Sequence, residues 1–382
     1  MHVNAPLVDI SADFDTGNIQ LLDGSDPSNI RLAILPDSCS AHFQWFHFRA
    51  EGLEVGRRHG FVITNAGQSS YPSAWQGYNA AASYDGVQWF RVPTEYDGQA
   101  LRFNVTAEAT GISFAYFEPY REARHFALIE RARNLPGVQE IACGKSLEGR
   151  DIPLFRAGDG TAGKRKVWLI AQQHPGEHMA EWFMEGVIEA LEQHQQWMQA
   201  LLQQAELYLV LNMNPDGAFH GHLRTNAAGK DLNRAWQDST PAETPEVHFV
   251  REHMALHGVD LFIDAHGDEE IPHVFTAACE GNPGYTPRLA ALETAFRDAL
   301  CQQTPDFQQV HGYTRDAPGQ ANMRLACNAV GQRFDCLAMT LEMPFKDHLD
   351  APEPRAEWSG ARSARLAQDL LKVVAGLVPR LR

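Results

Sequence analysis

The first third of the chain consists of short stretches in which large apolar side chains alternate with polar ones. Examples are FQWFHFRAEG, RHGFVITNAG and ALRFNVTAEATGISFAYFEPY, and Gly, Asn, Asp or Pro residues separate such stretches. Alternation of this kind is typical of strands that bury one face, and frequent turns are typical of a sandwich. The pattern predicts an antiparallel β-sandwich domain over residues 1–122, structural in role, with Trp45, Phe46 and Phe48 in its core.

Beyond residue 122, apolar runs of strand length alternate with helical segments. The runs are KVWLIAQQ, LYLVLNMN, DLFIDAH and CLAMTLEM, and the helical segments include MAEWFMEGVIEALEQHQQWMQALLQQ, PEVHFVREHMALH and, last, ARSARLAQDLLKVVAGLV. Such alternation predicts an α/β domain over residues 123–382, with a mixed, mostly parallel sheet covered by helices. Sheets of this type bind ligands at the carboxyl ends of their strands.

Composition and charge exclude several classes of partner. The formal net charge is −16, and the sequence shows no basic face of the kind that phosphate binding needs, so we expect no nucleic acid partner. No apolar run approaches the ~18 residues of a membrane span, and the start MHVNAPLVDISADFDTG has no secretory pattern, which together predict a cytoplasmic protein without a membrane partner. The six cysteines are scattered and show no structural zinc motif. Nothing in the sequence indicates the oligomeric state.

Metal-binding residue types follow two of the predicted strands. His174 and Glu177 come directly after KVWLIAQQ, and a helix starting near Pro175 would bring both to one face. His266 ends the strand DLFIDAH. Two imidazoles and one carboxylate are a common ligand set of catalytic zinc, and they leave a fourth position open.

Other polar residues nearby leave alternatives open. His178 forms a competing i, i+4 pair with His174. Asp264 shares a strand face with His266, where it could orient that ligand or serve a structural role. Four further residues are candidate metal ligands, but we expect them to form a solvated acidic loop: Asp268, Glu269, Glu270 and His273.

The stretch LNMNPDGAFHGHLRTNAAGKDLNRAW makes the comparison specific. Together with HPGE, DAHGD, TLEMPF and the upstream SLEGRDIPL, it resembles the zinc metallocarboxypeptidases, and among them the cytosolic carboxypeptidase-like branch. These motifs agree in order from about residue 130 onward, and the predicted β-sandwich resembles the domain that precedes the catalytic domain in this branch. The resemblance therefore covers nearly the whole chain.

The resemblance implies a role for each matching residue. One zinc ion per chain would be held by His174, Glu177 and His266, and a peptide or protein C-terminus would be the substrate. Glu342 would act as the general acid/base on the attacking water, and Arg224 would stabilise the oxyanion. The implied substrate-binding residues are Arg150, Asn233 and Arg234, of which Arg234 can form a bidentate pair with the terminal carboxylate.

Side-chain preference is the least determined property. The branch tends to remove acidic residues, which need a cationic partner in the pocket. Arg324 and Arg333 are the available cations before Glu342, and Arg324 is the better choice. Tyr313 lies farther upstream than the loop tyrosine of the digestive members, so we expect a loop or core aromatic there and leave it outside the catalytic set.

Two other functions fit parts of the same pattern. A deacylase of N-acyl amino acids, of the aspartoacylase and succinylglutamate desuccinylase type, also uses a His-x-x-Glu zinc site and a DLNR stretch. HPGE, NPDG and the leading β-sandwich favour the carboxypeptidase. A zinc-holding peptide-binding protein without catalysis is the second alternative, and the glutamate at position 342 argues against it.

Overall fold

The computed structural model describes residues 8–353 and 355–381. Its first ten strands form two five-stranded sheets, with the orders β1-β4-β10-β6-β7 and β2-β3-β5-β9-β8. The strands are β1 (Asp9–Ser11), β2 (Gln20–Asp23), β3 (Ile30–Ala33), β4 (His47–Glu51), β5 (Arg58–Ile63), β6 (Ala80–Ser83), β7 (Phe90–Val92), β8 (Thr94–Tyr96), β9 (Leu101–Thr106) and β10 (Gly111–Ala115).

The two sheets pack face to face through aromatic side chains. Phe114 of one sheet lies 4.7 Å from Phe61 and 5.1 Å from Phe103 of the other, measured between ring centroids. Trp45, Phe46 and Phe48 are fully buried, which confirms their assignment to the core. The predicted antiparallel sandwich is confirmed with one difference, because β3 pairs with β5 in parallel.

The second part of the chain contains one seven-stranded sheet with the order β11-β12-β14-β13-β15-β17-β16. Its central strands β14, β13, β15 and β17 are parallel, and the outer ones are antiparallel, so the predicted mixed sheet is confirmed. The strands are β11 (Val138–Lys145), β12 (Asp151–Ala157), β13 (Arg165–Ala171), β14 (Ala205–Val210), β15 (Leu261–Asp268), β16 (Phe275–Ala278) and β17 (Leu337–Pro344).

Helices cover both faces of this sheet. Successive side chains of a strand point to opposite sides, and apolar side chains on both sides are buried against these helices. On β13, Val167 and Leu169 pack into the core that contains α2 and α8, whereas Trp168 and Ile170 pack into the core under α5 and α7. The helices are α1 (Glu122–Asn134), α2 (Met179–Glu192), α3 (Gln196–Gln204), α4 (Pro215–His220), α5 (Pro245–His257), α6 (Pro287–Gln303), α7 (Ala326–Phe334) and α8 (Gly360–Leu377). Short 3-10 helices are Ala66–Gln68, Pro72–Trp75, Leu232–Arg234 and Val378–Arg380.

The segment predicted as one helix over residues 179–204 is divided between α2 and α3. His194 adopts a positive φ of 46°, which a continuing helix does not allow. None of the described helices has the length and apolar character required to cross a membrane.

The sandwich and the α/β domain share buried polar contacts. Arg91 donates from Nη2 to the carbonyl oxygens of Phe345 and Trp358, at 3.0 and 3.1 Å. The buried Lys346 ammonium donates to two sandwich carbonyls, those of Ala74 and Gln76. The last sandwich strand ends at Ala115 and α1 begins at Glu122, and the division at residue 122 stays a prediction.

Candidate active site

Three metal-binding side chains converge at the carboxyl ends of β13 and β15. Glu177 places Oε1 2.6 Å from Nδ1 of His174 and Oε2 2.7 Å from Nδ1 of His266. All three residues are buried, and one ligand atom from each lies within 4.8 Å of the others. Two imidazole nitrogens and a carboxylate facing one point fit a zinc ion with an open coordination position.

The HPGE segment is a turn, which differs from the predicted helix start near Pro175. Helix α2 begins only at Met179. The backbone N–H of Gly176 donates to the carbonyl of Leu223 at 3.0 Å, and a Cβ at position 176 would lie 2.8 Å from that oxygen. A glycine therefore allows the close approach that aims His174 and Glu177 at the same point.

The outward nitrogens of both histidines have carboxylate partners. Asp231 Oδ1 lies 3.1 Å from Nε2 of His174, and Asp264 Oδ2 lies 3.0 Å from Nε2 of His266. Such partners fix the ring orientation and tautomer of metal-binding histidines, so this geometry also fits a bound ion. The competing His178 is directed elsewhere, because its Nδ1 accepts a hydrogen bond from the Tyr120 backbone.

Glu342 on β17 is the register neighbour of His266 on β15. It lines the cleft that His174 and Glu177 also line. Its side chain is buried, and within the described chain its Oε2 has no hydrogen-bond partner. Burial raises the pKa of this carboxyl well above its usual range. A buried carboxyl with a free oxygen beside an open metal position has the geometry required to exchange a proton with a bound water.

The expectation of a solvated 268–273 loop is wrong for three of its four candidates. Asp268, Glu269 and His273 are 7%, 8% and 5% exposed, and the first two line the cleft, whereas Glu270 is exposed. Asp268 is held in place because its Oδ1 accepts the backbone N–H groups of Glu270 and Ile271. Burial also raises the pKa of Glu269, and the nearby Glu177 and Asp268 carboxylates add to the rise.

Tyr313 lies in the cleft, whereas its sequence position predicted a loop or core aromatic outside the catalytic set. Its hydroxyl donates to Asp268 Oδ2 at 2.7 Å and lies 3.3 Å from Oε1 of Glu342. The ring is half exposed at the wall of the cleft. One sequence signal could have identified it, because Tyr313 is the only tyrosine between Tyr285 and Glu342.

Arg224, Asn233 and Arg234 line the same cleft as these acidic residues. Arg224 Nε donates to Asp231 at 2.8 Å, and its guanidinium lies 5.9 Å from the ring centroid of Tyr71. Asn233 Oδ1 accepts the backbone N–H of Ala326. Among the described residues, no carboxylate lies within 4.0 Å of the Arg234 guanidinium, so this cation is available to a ligand.

Two predicted substrate-binding residues are absent from the described lining of the cleft. Arg150 pairs with the buried Asp216 at 2.8 Å and lies over the Phe219 ring. Arg324 is exposed, and its Nε donates to the Arg234 carbonyl at 2.9 Å.

The cleft itself has a volume of about 600 Å³. In addition to the residues named above, its lining includes Thr276, Asn328 and Thr340, together with two further cations, Arg297 and Arg315. Arg297 Nε donates to Thr276 Oγ1 at 3.0 Å, and Nη2 of Arg315 pairs with Glu293 at 2.6 Å. Arg333, the second cation considered from the sequence, lines a separate groove.

Comparison with known families gives two matches that divide the chain. A model described as the cytosolic carboxypeptidase N-terminal domain matches residues 10–117. A model described as zinc carboxypeptidase matches residues 127–344, which contain all three candidate metal ligands and Glu342.

Individual proteins agree with these matches. A solved metallo-carboxypeptidase from Pseudomonas aeruginosa, in complex with (2-guanidinoethylmercapto)succinic acid, is 60% identical, has a TM-score of 0.96, and aligns over 98% of this chain and 100% of its own. A metallo-carboxypeptidase from Burkholderia cenocepacia is 42% identical with a TM-score of 0.94, over 97% and 99% of the two chains. Human cytosolic carboxypeptidase 6 is 25% identical over 80% of this chain and 65% of its own length.

Proposed function

This chain belongs to the zinc carboxypeptidase family and is a zinc-dependent metallocarboxypeptidase; we propose that it releases single residues from the free C-terminus of peptides or proteins. The observation that carries the proposal is the Arg234 guanidinium, which lacks an acidic partner among the described residues and lines the same cleft as His174 and Glu177, two of the three candidate metal ligands. A main-chain carboxylate bound there marks a chain end, because the main-chain carbonyl of an internal residue belongs to an amide.

Each residue of the cleft has a chemical task in this proposal. His174, Glu177 and His266 would hold the zinc ion, which when bound would lower the pKa of a water to about 7 and would polarise a carbonyl. Glu342 accepts the proton of the attacking water and transfers it to the leaving amine. Its unpartnered Oε2 supports this role, since the atom is free to receive a proton.

Two further groups act on the negative charge that develops during the reaction. Arg224 donates to the carbonyl oxygen as this becomes an oxyanion, and its pairing with Asp231 limits its reorientation. Tyr313 donates from its hydroxyl to the substrate backbone after exchanging its bond to Asp268. Asn233 and Arg234 hold the terminal carboxylate during this step.

A pair of peptides that differ only at the terminus tests exopeptidase action. We expect the free-acid peptide to be trimmed by one residue at a time and the C-terminally amidated peptide to remain intact in mass spectra. Arg234→Ala should raise KM by about 100-fold or more, because a charge-assisted bidentate pair is lost. Arg324→Ala is the matched control, since that guanidinium lies outside the described cleft lining, and it should trim normally. Internal cleavage, or equal rates on both peptides, would contradict the proposal.

For the removed side chain we propose an acidic residue, bound by Arg297 rather than by Arg324. Arg297 and Thr276 both line the cleft, where Arg297 Nε donates to Thr276 Oγ1 and Nη1 lies 3.3 Å from the buried Glu293 carboxylate. A second candidate, a cationic residue, is favoured by the guanidino group in the ligand of the Pseudomonas relative and by Glu280 in the same lining. Either side chain needs an oppositely charged partner when it is desolvated.

Peptides that end in Glu, Lys or Phe separate these candidates. We expect the highest kcat/KM for Glu, a loss of that preference in Arg297→Met, and no change in Arg333→Met, whose side chain lines the separate groove. Preference for Lys would establish the cationic alternative, and a preference for Glu that survives in Arg297→Met would exclude this arginine.

A further inference from the structure

A second cluster of metal-binding side chains lies outside the cleft. It consists of His273, His348 and Asp350, here called the His273 cluster, and one ligand atom from each lies within 4.8 Å of the others. We propose that it is a second divalent transition-metal site, which braces the loop that carries Tyr313. None of its three residues is among the described lining of the catalytic cleft.

Hydrogen bonding leaves donor atoms of this cluster available. His348 is fully buried, and its Nε2 donates to the Asp306 carbonyl at 2.6 Å. The proton on Nε2 makes Nδ1 the candidate ligand atom, and Nδ1 accepts the backbone N–H of Asp350 at 3.2 Å, a hydrogen bond that a bound ion would replace. A carbonyl partner of this kind orients the histidine ligands of metal sites.

His273 supplies the second imidazole. Its side chain is 5% exposed, and within the described residues its Nδ1 is buried without a hydrogen bond, although Asp350 Oδ2 lies 3.0 Å away. A buried nitrogen that faces a carboxylate oxygen without the geometry of a hydrogen bond is well placed to share a cation with it. Asp350 is half exposed, so an ion can enter from solvent.

The donor chemistry selects the class of ion. Imidazole nitrogens favour zinc, cobalt, nickel or copper over magnesium and calcium, which prefer oxygen ligands. Two histidines and one aspartate leave further coordination positions for water, and the half-exposed carboxylate provides access to them. The cluster therefore fits zinc bound in exchange with solvent.

Aromatic contacts connect the His273 cluster to the catalytic cleft. The His311 ring stacks on His273, with centroids 4.2 Å apart and an interplanar angle of 9°. Two residues farther along the chain, Tyr313 packs edge-on against Phe275 at 4.9 Å. Residues 308–316, here called the Tyr313 loop, line the cleft, and an ion that fixes the His273 ring thus fixes the ring on which His311 of this loop stacks.

Calorimetric titration of the zinc-loaded enzyme with Zn²⁺ tests the site. We expect a second equivalent to bind, and its affinity to fall at least about tenfold in Asp350→Asn and in His273→Gln. Asp350 is half exposed, and its carboxylate pairs with His273, so the Asn variant should fold normally. His248→Gln is the matched control, because His248 forms a surface pair with Glu252 at 3.2 Å on α5. A second equivalent that is absent, or that binds equally well to both cluster variants, would overturn the site.

Hydrogen exchange of the Tyr313 loop tests the bracing. Adding the second zinc equivalent should slow backbone exchange in residues 308–316 of the wild type and leave Asp350→Asn unchanged. If the second ion binds at the His273 cluster but exchange in the loop does not slow, the bracing is refuted and the metal site stands.

Discussion

Asp37 belongs to the β-sandwich domain, yet it holds the backbone that carries Arg224. Its buried carboxylate accepts four hydrogen bonds from the segment Leu223 to Thr225. Oδ1 accepts the N–H of Leu223 at 2.6 Å, and Oδ2 accepts the N–H groups of Arg224 and Thr225, both at 2.9 Å, and the Thr225 hydroxyl at 3.1 Å. The replacement Asp37→Asn therefore tests whether the sandwich positions a residue of the active site.

The cost of this replacement follows from the donors that it leaves unpaired. An amide retains one oxygen, so the N–H of Leu223 would face an NH₂ group, at a cost of about 1–3 kcal/mol. The three other hydrogen bonds lose their ionic acceptor, which weakens each by roughly 1 kcal/mol. We expect the free energy of unfolding to fall by about 4–6 kcal/mol. A displacement of the Arg224 backbone by about 1 Å should lower kcat by up to about 10²-fold.

Urea unfolding and steady-state kinetics on one C-terminal peptide measure both effects. We expect kcat to fall more than KM rises, because Arg224 is proposed to act on the transition state. Asp26→Asn is the matched control, since within the described part of the chain its exposed carboxylate accepts hydrogen bonds only from Ser28 of its own turn, and both measurements should match the wild type. Wild-type stability and kcat in Asp37→Asn would refute the idea that the sandwich positions Arg224.

Further predictions concern single groups of the catalytic domain. Glu342→Gln should retain zinc by metal analysis, and its kcat should fall by a factor of about 10² to 10⁴. An active variant would indicate that another acid, such as Glu269, is the general acid/base. Tyr313→Phe should lower kcat/KM without altering zinc content, and unchanged kinetics would remove the hydroxyl from the mechanism. Chelation should abolish activity, and added zinc should restore it, whereas activity that persists in metal-free protein would contradict a zinc enzyme. Burial raises the pKa of Glu246 to about 7, so the unfolding free energy should fall by roughly 3 kcal/mol as the pH rises from about 4.5 to 7. Glu246→Gln should abolish that slope in urea titrations at several pH values.

The elements of the fold were predictable because their patterns are local. The four apolar runs of the second domain became β13, β14, β15 and β17, since continuous burial on both faces requires a continuous apolar sequence. The parallel pair β3 and β5 was not predictable, because strand direction depends on how the chain crosses between strands. The split between α2 and α3 was also missed, since no Pro or Gly marks the left-handed residue His194.

Within the candidate site, predictability depended on whether a residue follows a strand that the pattern identifies. His174, Glu177, His266 and Glu342 lie on or directly after such strands, so the edge of the sheet brings them together. Tyr313 lies on a long irregular loop, whose path is set by packing against residues such as Phe275 rather than by periodicity. Periodicity therefore could not place Tyr313 in the cleft, and its being the only tyrosine between Tyr285 and Glu342 was the one signal in the sequence.

The acidic loop shows why charge alone misleads. DEE at 268–270 reads as solvated, because carboxylates are rarely buried without partners. In the structure, Asp268 has its partners, namely two backbone N–H groups and the Tyr313 hydroxyl, and these offset part of the cost of burial. The partners come from the turn itself and from a loop 45 residues away, so no window of sequence contains both. The hydrogen bond from the Tyr313 hydroxyl to this buried acid is the contact that the Tyr313→Phe variant removes.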